Sequence, residues 1–278
     1  MSSATLSLGD VLRRASEHLD KTSETGRLDA ELLLAHTLGR HRIELYTDFD
    51  RPLSSHELDA YRALVARRAR HEPVAYILGE WGFRRLMLTV DRRALIPRPE
   101  TEIVVERGLA HLDGLEHPAV LDVGTGTGAI ALAIADEHPG AMVTAIDVSP
   151  EALDLARENA ARTGLAIELL DHDLRDGLPA GPYDLVVSNP PYVEPDDLRT
   201  LMPDVRDYEP HVALVGTGAT ERIARAATEV LSPGGHLVLE VGDGQATTTA
   251  AMLDGLGYLA VVTTPDLAGR DRVVEGRR

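Results

Sequence analysis

From Ala119 to the end, short apolar runs alternate with helix-forming stretches, and few folds accommodate that alternation. The runs Ala119–Val123, Met142–Asp147, Ala166–Leu170, Tyr183–Ser188, His236–Val241, Tyr258–Thr263 and Arg272–Glu275 have the length and branching of buried strands. Helices are predicted over Ala129 to about Glu137, from Ser149-Pro150-Glu151, from about Thr220 to Leu231, and from Gln245. Ser149 reads as an N-cap, with Pro150 at the first helical position and an acid in the first turn. Strand and helix in alternation predict an α/β, doubly wound, mostly parallel sheet. Ligands of such sheets lie outside the carboxyl ends of the strands, so the residues that follow each strand matter most.

The first part of the chain is different. Residues 1 to about 72 read as helices only: Ser7 is a plausible N-cap, followed by Val11, Leu12, Ala15 and Leu19 at helical spacing. Leu28 to Leu38 is a second helix with Gly39 placed to end it, and Ser54-Ser-His-Glu57 fits a capping box for a third. Its histidines share no spacing that suggests metal ligation, and nothing in it looks catalytic, so a docking or substrate-recognition bundle is expected. Glu72-Pro73 marks a boundary, and Pro73 to Val90 reads as short strands, a hairpin in outline. The alternate prolines of Leu95-Ile-Pro-Arg-Pro-Glu-Thr-Glu102 force extended backbone before a helix from Glu100 to Ala110. The expected organisation is a helical domain over 1–72, a β-hairpin linker over 73–95, and the sheet domain over 96–278.

Composition narrows the partners. The absence of cysteine excludes disulfide frameworks and thiolate chemistry and suits a cytoplasmic protein. Neither a secretory leader in the first ten residues nor a run approaching the ~18 apolar residues of a membrane span is visible. A net charge of -17 opposes direct binding to nucleic acid, which needs a basic face. A protein partner is therefore expected, with neither membrane nor nucleic acid, and a monomer.

Gly124-Thr-Gly-Thr-Gly128 follows the first strand of the sheet. Glycines there let the chain turn sharply and a ligand approach the backbone. Asp147 ends the second strand, where a carboxylate can accept both hydroxyls of a ribose. The pair points to an adenosine-containing ligand, with NAD and S-adenosylmethionine (SAM) both open. Asp122, just before the loop, and Asp173, after the third strand, tilt the choice to SAM: one answers a cationic methionine moiety, the other accepts from an adenine amino group. Asp122 as a cap for the loop amides and Asp173 as a turn residue are the plainer alternatives.

Asn189-Pro-Pro-Tyr192 closes the fourth strand, since proline cannot donate to a ladder. An amide or aromatic amine nitrogen is a poor nucleophile because its lone pair is delocalised. Two acceptors gripping its hydrogens can orient it: the Asn189 side-chain carbonyl and the Pro190 backbone carbonyl. Tyr192 can pack on the flat face of the substrate. Such a site works by positioning, with no strong base.

Asp122-Val-Gly-Thr-Gly-Thr-Gly128, Asp147 and Asn189-Pro-Pro-Tyr192 together resemble a class I SAM-dependent methyltransferase acting on a planar nitrogen, a pattern shared with adenine-N6 enzymes. The longer resemblance, to the release factor glutamine methyltransferases, takes in Pro73–Gly79, Leu95–Glu102, Val187–Tyr192, Tyr208-Glu-Pro210 and Gly269–Val273. It spans essentially the whole chain, helical bundle included. It implies a Rossmann-like seven-stranded methyltransferase sheet and methylation of the glutamine amide in the Gly-Gly-Gln motif of peptide chain release factors. SAM contacts are implied for Gly124, Thr125, Gly126, Thr127, Gly128 and Asp147, and a grip on the glutamine for Asn189, Pro190, Pro191 and Tyr192. Leu174 stands where the family often has an aromatic residue near the adenine, which leaves an apolar contact without stacking. A ribosomal-protein glutamine methyltransferase is the nearest rival; a DNA adenine methyltransferase, an NAD-dependent dehydrogenase and a non-catalytic SAM binder follow.

Overall fold

The computed structural model describes residues 6–278, so half of the ten-residue segment expected to hold no secretory leader lies outside the described residues. The chain divides into two compact units. One runs to Gly79 and takes in Met202–Tyr208; the other comprises Glu80–Leu201 and Glu209–Arg278.

In the helical unit, α1 (Leu8–Leu19) begins where the Ser7 hydroxyl accepts the Asp10 amide, at 3.2 Å. Leu8, Val11, Leu12, Ala15 and Leu19 form its buried stripe. The second helix, α2 (Gly26–Leu38), stops at Gly39, whose φ of 60° suits glycine. Ser54 and Glu57 cap α3 (Ser55–Arg68) reciprocally. Buried Tyr61 ties α3 to α2 by donating to the Ala30 carbonyl at 3.0 Å.

Residues 74–78 depart from the strand expectation. They form a short helix, α4 (Val74–Leu78), after Pro73, and Gly79 ends it at φ 77°. Val74, Ala75, Tyr76 and Ile77 are all buried, and four consecutive buried side chains do not fit the one-sided alternation of a hairpin. The hairpin is therefore confined to residues 80–89, short of the 73–95 expected. The stretch 202–208 also departs from the expected boundaries. Its Asp204 takes Arg68 Nη1 at 3.3 Å, and the Tyr208 hydroxyl donates to the Arg70 carbonyl at 2.8 Å, which fastens it to the helical unit.

The second unit opens with the hairpin β1 (Glu80–Phe83) and β2 (Leu86–Thr89), in which Trp81 opposes Leu88. There follow α5 (Thr101–Leu112), β3 (Ala119–Val123), α6 (Ala129–Glu137), β4 (Met142–Asp147), α7 (Pro150–Thr163), β5 (Glu168–Asp171) and β6 (Tyr183–Ser188). After α8 (Pro203–Tyr208), which belongs to the helical unit, come α9 (His211–Leu214), α10 (Ala219–Val230), β7 (Leu231–Glu240), α11 (Ala246–Gly255), β8 (Leu259–Pro265) and β9 (Asp271–Arg277).

Seven strands form one sheet in the order β5-β4-β3-β6-β7-β9-β8. The first five are parallel, and β9 lies antiparallel between β7 and β8. Ser232-Pro-Gly-Gly235, between the expected helix and the strand expected from His236, lies within β7 as a bulge: Tyr183 pairs with Leu231, and the next register is Leu185 with His236. Alternation along the strands feeds two cores. Val120, Leu185 and Val187 join Ile130, Leu132 and Val105 in one, whereas Leu121, Val123 and Val186 join Ile223, Leu237 and Leu239 in the other. Each face of the central strands is thereby covered, which places their carboxyl ends at one edge.

Candidate active site

At that edge lies a cavity of about 290 Å³ lined by residues 93–98 and Thr101, the loop after β3, the ends of β4 and β6, residues 172–174, and residues around 210–223. Gly124, Thr125, Gly126, Thr127, Asp147, Asp173, Leu174, Asn189, Pro190 and Pro191 all stand on its wall. Residues 122, 124–128, 147, 173–174 and 189–192, far apart in sequence, were all expected to serve one site, and ten of these thirteen line it; Asp122, Gly128 and Tyr192 do not.

The loop after β3 takes its shape from positive φ at Gly124 (75°), Gly126 (56°) and Gly128 (82°). A side chain at Gly124 would meet nothing within 4 Å, so that backbone is bare towards open space. Gly128 has the opposite reason: a Cβ there would meet Leu132 and Ala156 at 3.2 and 3.3 Å. Gly128 thus seats α6 and does not face the cavity.

Asp147 holds the loop from the side. Its Oδ2 accepts the Gly126 amide and its Oδ1 the Ser149 amide, both at 2.9 Å. Burial raises its pKa against these donations. The carboxylate keeps an acceptor position for a further donor. Glycine backbone open to the cavity, a carboxylate with spare acceptor capacity and apolar Leu174 form a donor set that fits an adenosine ligand.

Asp122 is fully buried under the loop. Its Oδ2 accepts from Thr125 Oγ1 at 2.6 Å and from the Ala131 amide at 3.2 Å, while Oδ1 has no partner. Burial pushes its pKa up to about 7. The carboxylate caps the loop and α6, the plainer of its two readings. Asp173 lines the cavity, but its oxygens are taken up by Arg175, through the backbone amide at 2.8 Å and the guanidinium at 2.5–3.1 Å. Arg175 pulls its pKa down to about 2.

The tetrapeptide begins where β6 ends. Ser188 is buried, and its hydroxyl donates to the Val123 carbonyl of the neighbouring strand at 2.7 Å. Asn189 Nδ2 donates to Thr101 Oγ1 at 3.1 Å, and Thr101 Oγ1 donates to Glu240 Oε2 at 2.6 Å. The Tyr192 hydroxyl reaches Glu240 Oε1 at 3.5 Å, and the Tyr192 carbonyl accepts Gln245 Nε2 at 3.1 Å. Tyr192 is thus engaged away from the cavity wall, and burial lifts its pKa to about 12. Burial likewise raises Glu240 to about 7.

Thr101 is known from the sequence only as part of the proline-rich stretch 95–102, and Glu240 carries no assigned role there. Glu240 had a signal, an acid at the carboxyl end of the apolar run Leu237–Leu239 beside the tetrapeptide's strand. The proline-rich segment before α5 is a cavity wall: Leu95, Ile96, Pro97 and Arg98 line it, and Arg98 forms an ion pair with buried Glu209.

A parallel sheet with one antiparallel strand, a glycine loop after its first strand and a cavity at the carboxyl ends define a class I methyltransferase architecture. A T. thermophilus 16S rRNA methyltransferase of known structure shares this fold at a TM-score of 0.53 and 19% identity, covering 72% of this chain and 49% of that one. The family models matched are the PrmC N-terminal domain over residues 10–79 and the methyltransferase small domain over 106–203. Release factor glutamine methyltransferases of Geobacter sulfurreducens and Deinococcus radiodurans are 44% and 41% identical, over 93% and 98% of this chain and 92% and 99% of theirs. The chain belongs to the release factor glutamine methyltransferase family.

Proposed function

We propose that the protein transfers a methyl group from SAM to the side-chain amide nitrogen of a glutamine, that of the Gly-Gly-Gln motif in a peptide chain release factor. The observation that carries this is Asn189. Its Nδ2 is committed to Thr101, so the side-chain carbonyl is the atom left for a ligand in the cavity. The Pro190 carbonyl, beside it on the same wall, supplies a second acceptor. Two acceptors match the two hydrogens of a primary amide. By gripping both they hold the nitrogen in place and favour the charge that builds on its hydrogens as the lone pair is used.

SAM, when bound, supplies an electrophilic methyl group. Gly124 to Thr127 and Asp147 would hold its nucleoside and methionine parts, Leu174 would cover the adenine, and Asp173 would meet the adenine edge where the exposed Arg175 side chain yields one of its oxygens. Asp122 and Gly128 act on it indirectly by shaping the loop. Pro191 walls the glutamine site, and Tyr192 anchors the tetrapeptide from outside it. A translation factor as substrate places the reaction in the cytoplasm, with the enzyme acting as a monomer on a protein and not on nucleic acid.

Transfer of label from SAM to purified release factor, compared with ribosomal protein as acceptor, tests the assignment. Label is expected on the release factor; label on the ribosomal protein alone would transfer the assignment to the rival substrate. Asn189→Ala is expected to lower turnover at least ~100-fold, the scale for loss of one preorganised polar contact to developing charge. Its SAM affinity should stay within a few-fold of the parent value, and unchanged turnover would remove Asn189 from the mechanism.

A further inference from the structure

Asparagine presents either its oxygen or its nitrogen when its amide turns over, and the two faces select opposite ligands. A carbonyl facing the cavity accepts from a glutamine amide. An NH2 facing it would donate instead, and would suit a glutamate carboxylate. What holds Asn189 one way round therefore sets which substrate the site reads.

The hydrogen bonds contain a direction. Thr101 Oγ1 has one proton. That proton is drawn to Glu240 Oε2 at 2.6 Å, which leaves the hydroxyl able only to accept from Asn189, at 3.1 Å. Only Nδ2 can donate there, so the Asn189 carbonyl must be the group turned to the cavity. The polarity comes from the carboxylate, an obligate acceptor. Thr101 and Glu240 are both buried, so water does not compete for these bonds.

We propose that Glu240, acting through Thr101, is the positioning residue that locks the orientation of the Asn189 amide and so makes the site select glutamine over glutamate. This rests on the methyltransferase reading above. The groups around Glu240 are Thr101 and Glu100 at the start of α5, Tyr192 after β6, and Arg272 on β9. Of these, Thr101 and Tyr192 make hydrogen bonds to it, and Glu100 adds to the burial that raises its pKa to about 7. Once protonated, Glu240 can donate to Thr101. The threonine proton is then free to turn to Asn189, and the lock is lost. Turnover should fall as pH drops through that value.

Glu240→Gln keeps the shape and removes the obligate acceptor, since its amide can donate to Thr101. Three readouts are expected to change together. Turnover falls about tenfold or more, the acidic limb of the pH profile disappears, and affinity for release factor carrying Gly-Gly-Gln over the same factor carrying Gly-Gly-Glu drops about tenfold, or ~1.4 kcal/mol. SAM affinity, read by calorimetry, should stay within about threefold, as the lock does not touch that site. Thr101→Ser, which keeps the hydroxyl, should retain parent behaviour, whereas Thr101→Val should lose the same discrimination; this pair carries the test if Glu240→Gln does not fold. Parent-like turnover and discrimination in Glu240→Gln, or Thr101→Val matching Thr101→Ser, would overturn the lock. Failure of the parent protein to methylate release factor would instead refute the preceding proposal, and the two failures are told apart by the parent control.

Discussion

The two units differ in how they treat buried charge. In the helical unit every buried charged side chain described has a counterion. Arg68 donates to Asp29 at 2.7 Å and also to Ser23, Asp204 and the Glu72 carbonyl. Glu31 takes Arg27 and the Tyr46 hydroxyl; burial works against its charge, but those two donors keep its pKa below the usual value. In the sheet unit, Asp122 and Glu240 are buried with hydroxyl and amide partners and no ion pair, and burial drives both to about 7. Glu275, in the same sheet, is paired with Arg107 and His111 and falls to about 2 despite its burial. The uncompensated acids Asp122 and Glu240 thus orient a loop and a hydroxyl beside the cavity, whereas Glu209, paired with the cavity-wall Arg98, and Glu275 are compensated and tie segments together.

Removing one partner of a buried pair should do the most damage. Arg68→Ala leaves Asp29 without a cation and is expected to lower stability by ~3–5 kcal/mol, read from denaturant melts. A loss under about 1 kcal/mol would mean that the pair is no more structural than a surface one.

The two unpaired buried acids should show themselves through pH. A carboxyl whose folded pKa lies above its unfolded value keeps its proton in the folded state while the unfolded chain has released it. Stability therefore falls as pH rises from about 4 to about 7, and the full penalty persists above 7. Asp122→Asn should flatten that slope by ~1–3 kcal/mol across the window. Equal slopes in parent and variant would mean that Asp122 is not held neutral by burial. The smallest effect is expected where both partners are in water: Arg157→Ala, which frees Asp154 on the face of α7, should change stability by less than ~0.5 kcal/mol.

Much of the fold was legible because local chemistry and tertiary structure agree. The caps at Ser7, Ser54 and Ser149 and the helix end at Gly39 lie where the sequence puts them, and all seven strands of the sheet fall on the expected apolar runs. Residues 74–78 escaped because a five-residue buried helix and a buried strand carry the same apolar signature. The bulge in β7 escaped because Pro233-Gly-Gly235 reads as a turn when its pairing partners at Tyr183 and the chain end are unknown. At the site, the glycine loop, Asp147 and the tetrapeptide were visible as motifs. Thr101 and Glu240 take their meaning from a hydrogen-bond path between residues 139 positions apart, which spacing cannot encode.

The chain passes from one compact unit to the other after Gly79, after Leu201 and after Tyr208. Its helical unit is therefore not a detachable N-terminal piece. Cutting after Gly79 would strand Asp204 and Tyr208 on the remaining fragment, away from Arg68 and the Arg70 carbonyl to which they bond. Exchange of this bundle between relatives, as a route to new substrate choice, would have to carry residues 202–208 along with the first 79, as a graft in two segments.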